Sequence, residues 1–164
     1  MTVSTNATPL AFTLSADEGR TAQPLNVVGE ETLVKVSATD SDGAFALFHL
    51  VAPPMSGPPL HVHSREDEVF YVLEGELVFE MDGVCETIGA GGTVFLKRGV
   101  THRYQNFTDR DARLLIGVTP GGFQEFFVEL AAATPPTGGI PPMDDLQAID
   151  ARYGITTLGP PMMR

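Results

Sequence analysis

The sequence has little of what several classes of protein require. Its only cysteine, Cys85, cannot form an internal disulfide and excludes a zinc site built from cysteines; we expect a buried, unreactive thiol. Ten basic residues against 21 acidic ones give a net charge of −11, which argues against nucleic acid and membrane surfaces as partners. No apolar run approaches the roughly 18 residues of a membrane span. Residues 1–20 lack the basic start and apolar stretch of a signal peptide, so we expect a cytoplasmic protein.

Glycine and proline are abundant instead, with 17 and 13 of 164 residues, as in all-β proteins with many turns. From residue 31 to about residue 118, short β-type runs alternate with turn signals and predict about eight strands. The clearest hairpin signal is the pair Asp82-Gly83. We divide the chain into an N-terminal arm (1–30), a β-domain (31–120) and a C-terminal tail (121–164).

The tail has a helical character. An apolar stripe recurs at helical spacing over residues 123–133, and a second short helix is predicted over 144–153, ended by Gly154. The stripe consists of Phe123, Phe126, Phe127 and Leu130. It serves either as core or as a dimer seam, because the tail packs on the β-domain or on a second subunit. A twofold homodimer is the expected assembly.

The chain has only four histidines, and two of them are spaced for metal binding. On a strand, His61 and His63 leave the same face. Glu68 begins the next predicted strand and His102 begins a later one. Three imidazoles and one carboxylate suit Fe, Mn, Co, Ni, Cu or Zn rather than Ca or Mg. The alternative is that His61 and His63 are surface residues of a polar loop.

Two segments resemble the motifs of a known superfamily. Residues 57–75, Gly-Pro-Pro-Leu-His-Val-His-Ser-Arg-Glu-Asp-Glu-Val-Phe-Tyr-Val-Leu-Glu-Gly, are similar to the first motif of the cupins, and residues 91–106 are similar to the second. Met55 stands where the first motif has its leading glycine, with Gly57 two residues later, and Lys97 stands where the second has proline.

The four ligand positions of the cupin motifs match this sequence. The resemblance implies an all-β fold, the cupin double-stranded β-helix or jelly-roll barrel, with a short C-terminal helical tail. It also implies one divalent transition metal per chain, Fe, Mn, Ni, Co, Cu or Zn, bound by His61, His63, Glu68 and His102. Glu66 and Asp67 are out of register with the motif and are expected to play no part in metal binding.

Other residues are candidates for the wall of a pocket. These are Phe70, Phe79, Phe95, Tyr104 and His49. Core packing is the alternative for the aromatic residues, and a place at the rim of a strand is the alternative for His49. Asn106 shares the parity of His102 and is expected to pin a turn or strand.

The chain also resembles single-domain bacterial cupins of the quercetin 2,3-dioxygenase-like kind, in its Gly-Pro-Pro-Leu-His-Val-His segment, its Phe-Tyr-Val-Leu-Glu-Gly-Glu strand and its tail. This likeness implies a dioxygenase that uses O2 on an aromatic or enolic, flavonol-like small molecule bound to the metal, with Glu68 as both ligand and catalytic base. Two alternatives stay open. One is a redox-inactive metal that acts as Lewis acid in a cyclase or isomerase, and the other is a non-catalytic cupin that binds a small molecule.

Overall fold

The computed structural model describes residues 11–163, so the first ten residues of the predicted arm lie outside the described residues. Those 153 positions form eleven strands and two helices. The strands are β1 (Leu25–Val27), β2 (Glu30–Val36), β3 (Ala46–Ala52), β4 (Leu60–His63), β5 (Asp67–Glu74), β6 (Glu76–Met81), β7 (Val84–Gly89), β8 (Thr93–Leu96), β9 (His102–Gln105), β10 (Ala112–Thr119) and β11 (Ile155–Gly159). The helices are α1 (Gln124–Ala133) and α2 (Met143–Tyr153).

The strands form two antiparallel sheets. The six-stranded sheet has the order β1-β2-β3-β10-β5-β8, and the five-stranded sheet has the order β11-β4-β9-β6-β7. One hydrophobic cluster joins the two sheets, with the Phe70 ring of one sheet 5.3 Å from the Phe79 ring of the other. The architecture is the predicted all-β jelly roll with helices near the C-terminus.

The strands predicted between residues 31 and 118 correspond to β2 through β10, with boundaries shifted by a few residues. Asp82 and Gly83 have φ angles of 46° and 81°, which identifies the predicted two-residue hairpin as the type that matches strand twist. Two strands were not predicted from the sequence. β1 is only three residues long, and β11 directly follows α2, so neither shows a full period-2 pattern.

The helical tail lies against the sheets. The Phe127 ring lies 4.8 Å from the buried Phe48 ring of β3, and Phe126, Phe127 and Leu130 are all buried. The apolar stripe is therefore core within one chain, and its use as a dimer seam is wrong, because these side chains are already covered. The final strand β11 pairs with β4 and so completes the five-stranded sheet.

Cys85 corrects another expectation. It lies on β7, at the edge of the five-stranded sheet, and its side chain is exposed rather than buried.

Within residues 11–163, neither helix has the length and hydropathy needed to cross a bilayer.

Candidate metal centre

Three strands bring the four predicted ligands together. His61 and His63 lie on β4, Glu68 lies on β5 and His102 lies on β9. β4 and β9 are neighbours, with His61 directly opposite His102, whereas β5 belongs to the other sheet. The inward parity of β5 places the side chain of Glu68 between the sheets, as predicted from the alternation along that strand.

The ligand atoms of these four residues all lie within 4.8 Å of one another. The carboxylate atom Glu68 Oε2 is 3.0 Å from His102 Nε2 and 3.6 Å from His63 Nε2. The rings of His61 and His102 have their centroids 4.3 Å apart. His63, Glu68 and His102 are buried, and His61 is half-buried. One ion could be reached by all four side chains.

Backbone carbonyl groups fix two of the rings. His61 Nδ1 lies 2.8 Å from the oxygen of Pro59, and His102 Nδ1 lies 3.0 Å from the oxygen of Val100. A carbonyl only accepts hydrogen bonds, so each Nδ1 carries the proton and donates it. In a neutral ring the lone pair then lies on Nε2, and Nε2 of His102 is the atom that faces Glu68.

Burial and the neighbouring charges set the protonation of the group. Burial, helped by His102 and His63, lowers the pKa of His61 to about 3, which keeps this ring neutral. Burial alone would raise the pKa of Glu68, but its interactions with His63 and His102 outweigh burial and lower this pKa to about 2. Burial alone would lower the pKa of His63, but the carboxylates of Glu68 and Glu66 outweigh burial and raise it, so His63 must release its proton to bind a metal ion. A neutral imidazole and an ionised carboxylate are the forms that coordinate a metal ion.

The donor set fits a divalent transition metal. His63 Nε2, His102 Nε2 and Glu68 Oε2 are buried and have no hydrogen-bond partner within the described structure. With Nδ1 protonated, the His102 Nε2 lone pair faces a carboxylate oxygen at 3.0 Å, an arrangement that is unfavourable unless a cation lies between them. Imidazole and carboxylate donors in these numbers suit Fe, Mn, Co, Ni, Cu or Zn.

Glu66 is a functional candidate that the sequence did not reveal. Its Oε2 atom is buried without a hydrogen-bond partner and lies 3.6 Å from Nδ1 of His63. As expected, Glu66 is not one of the four residues of the metal group, but its carboxylate lies beside the nitrogen of His63 that faces away from Glu68. Asp67 behaves as expected and binds Arg98 on the outside, at 2.9 Å.

An apolar cavity of about 80 Å³ adjoins the group. His61, Glu68, Phe70 and Tyr104 lie in its wall, so two of the predicted pocket residues have the predicted place. The other wall residues come from β1, β2, β3, β10, β11, both helices and the segments beside them, including Leu50, Ile116, Phe123 and Leu130.

The other three predicted pocket residues do not reach the cavity. Phe79 is fully buried and packs on Phe70 and Tyr104, at ring distances of 5.3 and 5.6 Å, as part of the core. Phe95 is 65% exposed, because the alternation of β8 turns its neighbours Val94 and Leu96 inward. His49 has the outward parity of β3, between inward-facing Phe48 and Leu50. A place for His49 in this cavity is therefore wrong. Phe95 lies instead in the wall of a second, more open apolar pocket, together with Leu47 and Val69.

A second buried carboxylate lies in the wall of the same cavity. Glu30, at the start of β2, is 2% exposed and accepts hydrogen bonds from the Tyr104 hydroxyl at 2.6 Å and the Ser56 hydroxyl at 2.8 Å. Gly57, the residue after Ser56, lets this segment lie against the backbone of Tyr104, since a Cβ there would lie 2.0 Å from the Tyr104 carbonyl oxygen. Burial outweighs both hydrogen bonds and raises the pKa of Glu30 to about 7. The sequence held no signal for it beyond its shared parity with Thr32 and Val34, because buried glutamates are rare.

Asn106 has the expected structural role. Its side-chain amide donates to the carbonyl oxygens of Ala52 and Arg110 and its own oxygen accepts from Thr108, so it fastens the turn that follows β9.

Comparison with known proteins identifies the family. The family model described as "Cupin domain" matches residues 48–118. The crystal structure of a Thermotoga maritima protein described as a predicted oxalate decarboxylase is 30% identical, with a TM-score of 0.51, and the match covers 54% of this chain and 78% of that protein. This chain belongs to the cupin superfamily.

The names of two curated relatives of this cupin describe different activities. It is 38% identical over 63 residues to the oxalate-binding protein of Thermotoga maritima, which covers 38% of this chain and 52% of the relative. It is 42% identical over 55 residues to a β-D-galactosidase of Mycobacterium tuberculosis, which covers 34% of this chain and 47% of the relative. The chain spans about half the length of these relatives, so their names alone do not assign a substrate.

The cupin motifs explain one backbone feature. Met55, which stands where the first motif has glycine, has a φ angle of 62° in the left-handed region. This conformation favours glycine because it brings Cβ close to the following carbonyl oxygen. The turn before β4 thus has, at Met55, a backbone conformation that glycine adopts more readily.

Proposed function

We propose that this cupin is a metal-dependent dioxygenase that acts on a small enolic molecule in the cavity beside the metal group. The observation that carries the proposal is the position of His61 and Glu68, which belong both to the four-residue group and to the cavity wall. A substrate in the cavity would therefore lie within reach of the metal.

A divalent transition metal bound by these residues would supply a Lewis acid that lowers the pKa of an enol hydroxyl group. The residues of the chain supply the rest. Phe70, Leu50 and the stripe of α1 exclude water from the cavity. Glu68 belongs to the metal group and also lines the cavity, which makes its carboxylate the candidate base for a hydroxyl proton of the substrate. The reaction places the two atoms of O2 on the two carbons of the enolic bond, which breaks.

The size of the cavity restricts the substrate. About 80 Å³ is roughly half the volume of a cavity known to take up benzene, about 150 Å³. A three-ring flavonol is larger than this space. We therefore propose an enolisable molecule of a few heavy atoms rather than a flavonol-like compound.

The test begins with elemental analysis of untagged protein purified without chelator, followed by loading with single metals and measurement of O2 uptake. We expect uptake with a redox-active metal and a small hydroxy ketone, and none with zinc. Glu68→Gln in metal-saturated protein should lower the rate by about 10²- to 10⁴-fold if Glu68 is the base. Asp67→Asn is the matched control, since Asp67 binds Arg98 outside the site. Uptake that is absent with every metal would refute the dioxygenase.

A second candidate is a non-catalytic binding protein. The observation in its favour is the relative named as an oxalate-binding protein. Saturable binding of a small ligand by metal-loaded protein, without conversion of that ligand under any metal, would support this function over the first.

A further inference from the structure

Glu30 belongs to neither the cupin motifs nor the metal group, yet it faces the same cavity as His61 and Glu68. It comes from β2, which lies outside the segment matched by the family model. Its partners are two hydroxyl groups, those of Tyr104 and Ser56, which donate to opposite carboxylate oxygens.

The hydrogen bonds leave Glu30 with unused acceptor capacity. A carboxylate offers about four acceptor positions, and each oxygen of Glu30 receives one hydrogen bond from the protein. Within residues 11–163 no cationic side chain pairs with it. Such a group stabilises a ligand that brings a hydrogen-bond donor and destabilises one that brings a negative charge.

The rest of the cavity wall also disfavours a negatively charged ligand. It includes three carboxyl groups, those of Glu30, Glu68 and Asp150, and among its described residues there is neither lysine nor arginine. Most other wall residues are apolar. A carboxylate ligand would therefore find no basic partner there apart from a metal ion, and it would lose its hydration.

We propose that Glu30, held by Tyr104 and Ser56, is the ligand-recognition end of the cavity and selects a small neutral molecule with a hydroxyl group over a carboxylate such as oxalate. The inference rests on the proposed function in that it takes the cavity as the place of the substrate. It gives that substrate a chemical class, a small hydroxy ketone or enol, and it separates this cupin from its oxalate-binding relative.

Three probes of similar size test the proposal by NMR titration of the zinc-loaded protein, in which no O2 chemistry occurs. Hydroxyacetone carries the hydroxyl group, butanone has a methyl group in its place, and oxalate carries two charges. The titrations run at about pH 8, above the pKa of about 7 for Glu30, so that its anionic form prevails.

The wild-type protein should bind hydroxyacetone about 10-fold more tightly than butanone, the effect of one hydrogen bond to a charged group. Glu30→Gln should remove most of this preference and raise the affinity for oxalate by about 10-fold. Glu30→Asp keeps the charge but withdraws it from the cavity, so it should lower the hydroxyl preference and leave oxalate excluded. Glu31→Gln is the matched control, because Glu31 is exposed on the same strand and its loss changes the net charge equally.

The proposal is overturned if Glu30→Gln leaves the hydroxyl preference or the oxalate affinity unchanged, or if Glu31→Gln raises oxalate affinity to the same extent. A gain in oxalate binding cannot come from general damage to the fold. The outcome is also independent of catalysis. If no O2 uptake is found but Glu30→Gln changes ligand selectivity as expected, the dioxygenase is refuted and the recognition role of Glu30 stands. If O2 uptake is found but Glu30→Gln leaves selectivity unaltered, the recognition role is refuted and the dioxygenase stands.

Discussion

Replacement of Glu30 by glutamine should change how the stability of this cupin depends on pH. Burial raises the pKa of Glu30 from its ordinary 4.5 to about 7, so the folded protein favours the protonated carboxyl group. Its contribution to stability is full below about pH 4.5 and is lost as the pH rises through about 7. Each pKa unit corresponds to about 1.4 kcal/mol, so the free energy of unfolding should fall by about 3 kcal/mol over this range on account of Glu30.

Glutamine has nearly the same shape and keeps an oxygen for the Tyr104 hydroxyl, but it does not titrate. The assay is urea unfolding of metal-free protein at several pH values, for wild type, Glu30→Gln and Glu31→Gln. Other titrating groups, among them the metal-site histidines, contribute to both proteins and cancel in the difference.

The difference between wild type and Glu30→Gln should shift by about 3 kcal/mol in favour of the variant between about pH 4.5 and 8. Glu31→Gln should show no such shift, because Glu31 is exposed. A constant difference between wild type and Glu30→Gln across this range would refute the reasoning, since it would mean that Glu30 titrates alike in the folded and unfolded chains.

Four further outcomes are expected. His61→Ala should abolish stoichiometric metal in elemental analysis, whereas His49→Ala, on the outer face, should leave it intact. Glu66→Gln should weaken metal affinity by about 10-fold in a chelator competition through its effect on His63, and Asp67→Asn should not. Met55→Gly should raise the free energy of unfolding by up to about 1 kcal/mol by relieving its left-handed backbone, while Met55→Ala should not. Light scattering should give a molecular mass of twice 17.5 kDa, because we expect a homodimer, and a mass near 17.5 kDa would contradict this expectation.

The residues that the sequence predicted well are those with local signals. The i, i+2 spacing of His61 and His63, the hairpin at Asp82-Gly83 and the helical spacing of the α1 stripe each follow from geometry within a few residues. The motif register placed Glu68 correctly on the inward face of β5.

The residues that the sequence missed depend on contacts between distant segments. Glu30 meets Ser56 and Tyr104 across 26 and 74 positions of the chain. Phe95 has the composition of a pocket residue, but only the register of β8 against β5 shows that it faces outward. Glu66 was not expected in the site because the motif omits it. A side chain that does not bind the metal can nevertheless lie beside the second nitrogen of a histidine that does, as Glu66 lies beside Nδ1 of His63.

The two halves of the site come from different parts of the chain. All four metal-group residues lie within the matched segment 48–118, while more than half of the cavity wall comes from residues 27–30 and 123–157. Mutations in those flanking segments can therefore change which ligand the cavity accepts without changing the four residues of the metal group. Two cupins with the same four ligands can diverge in chemistry through their termini alone, and exchanging those termini between such proteins is a direct route to altered selectivity.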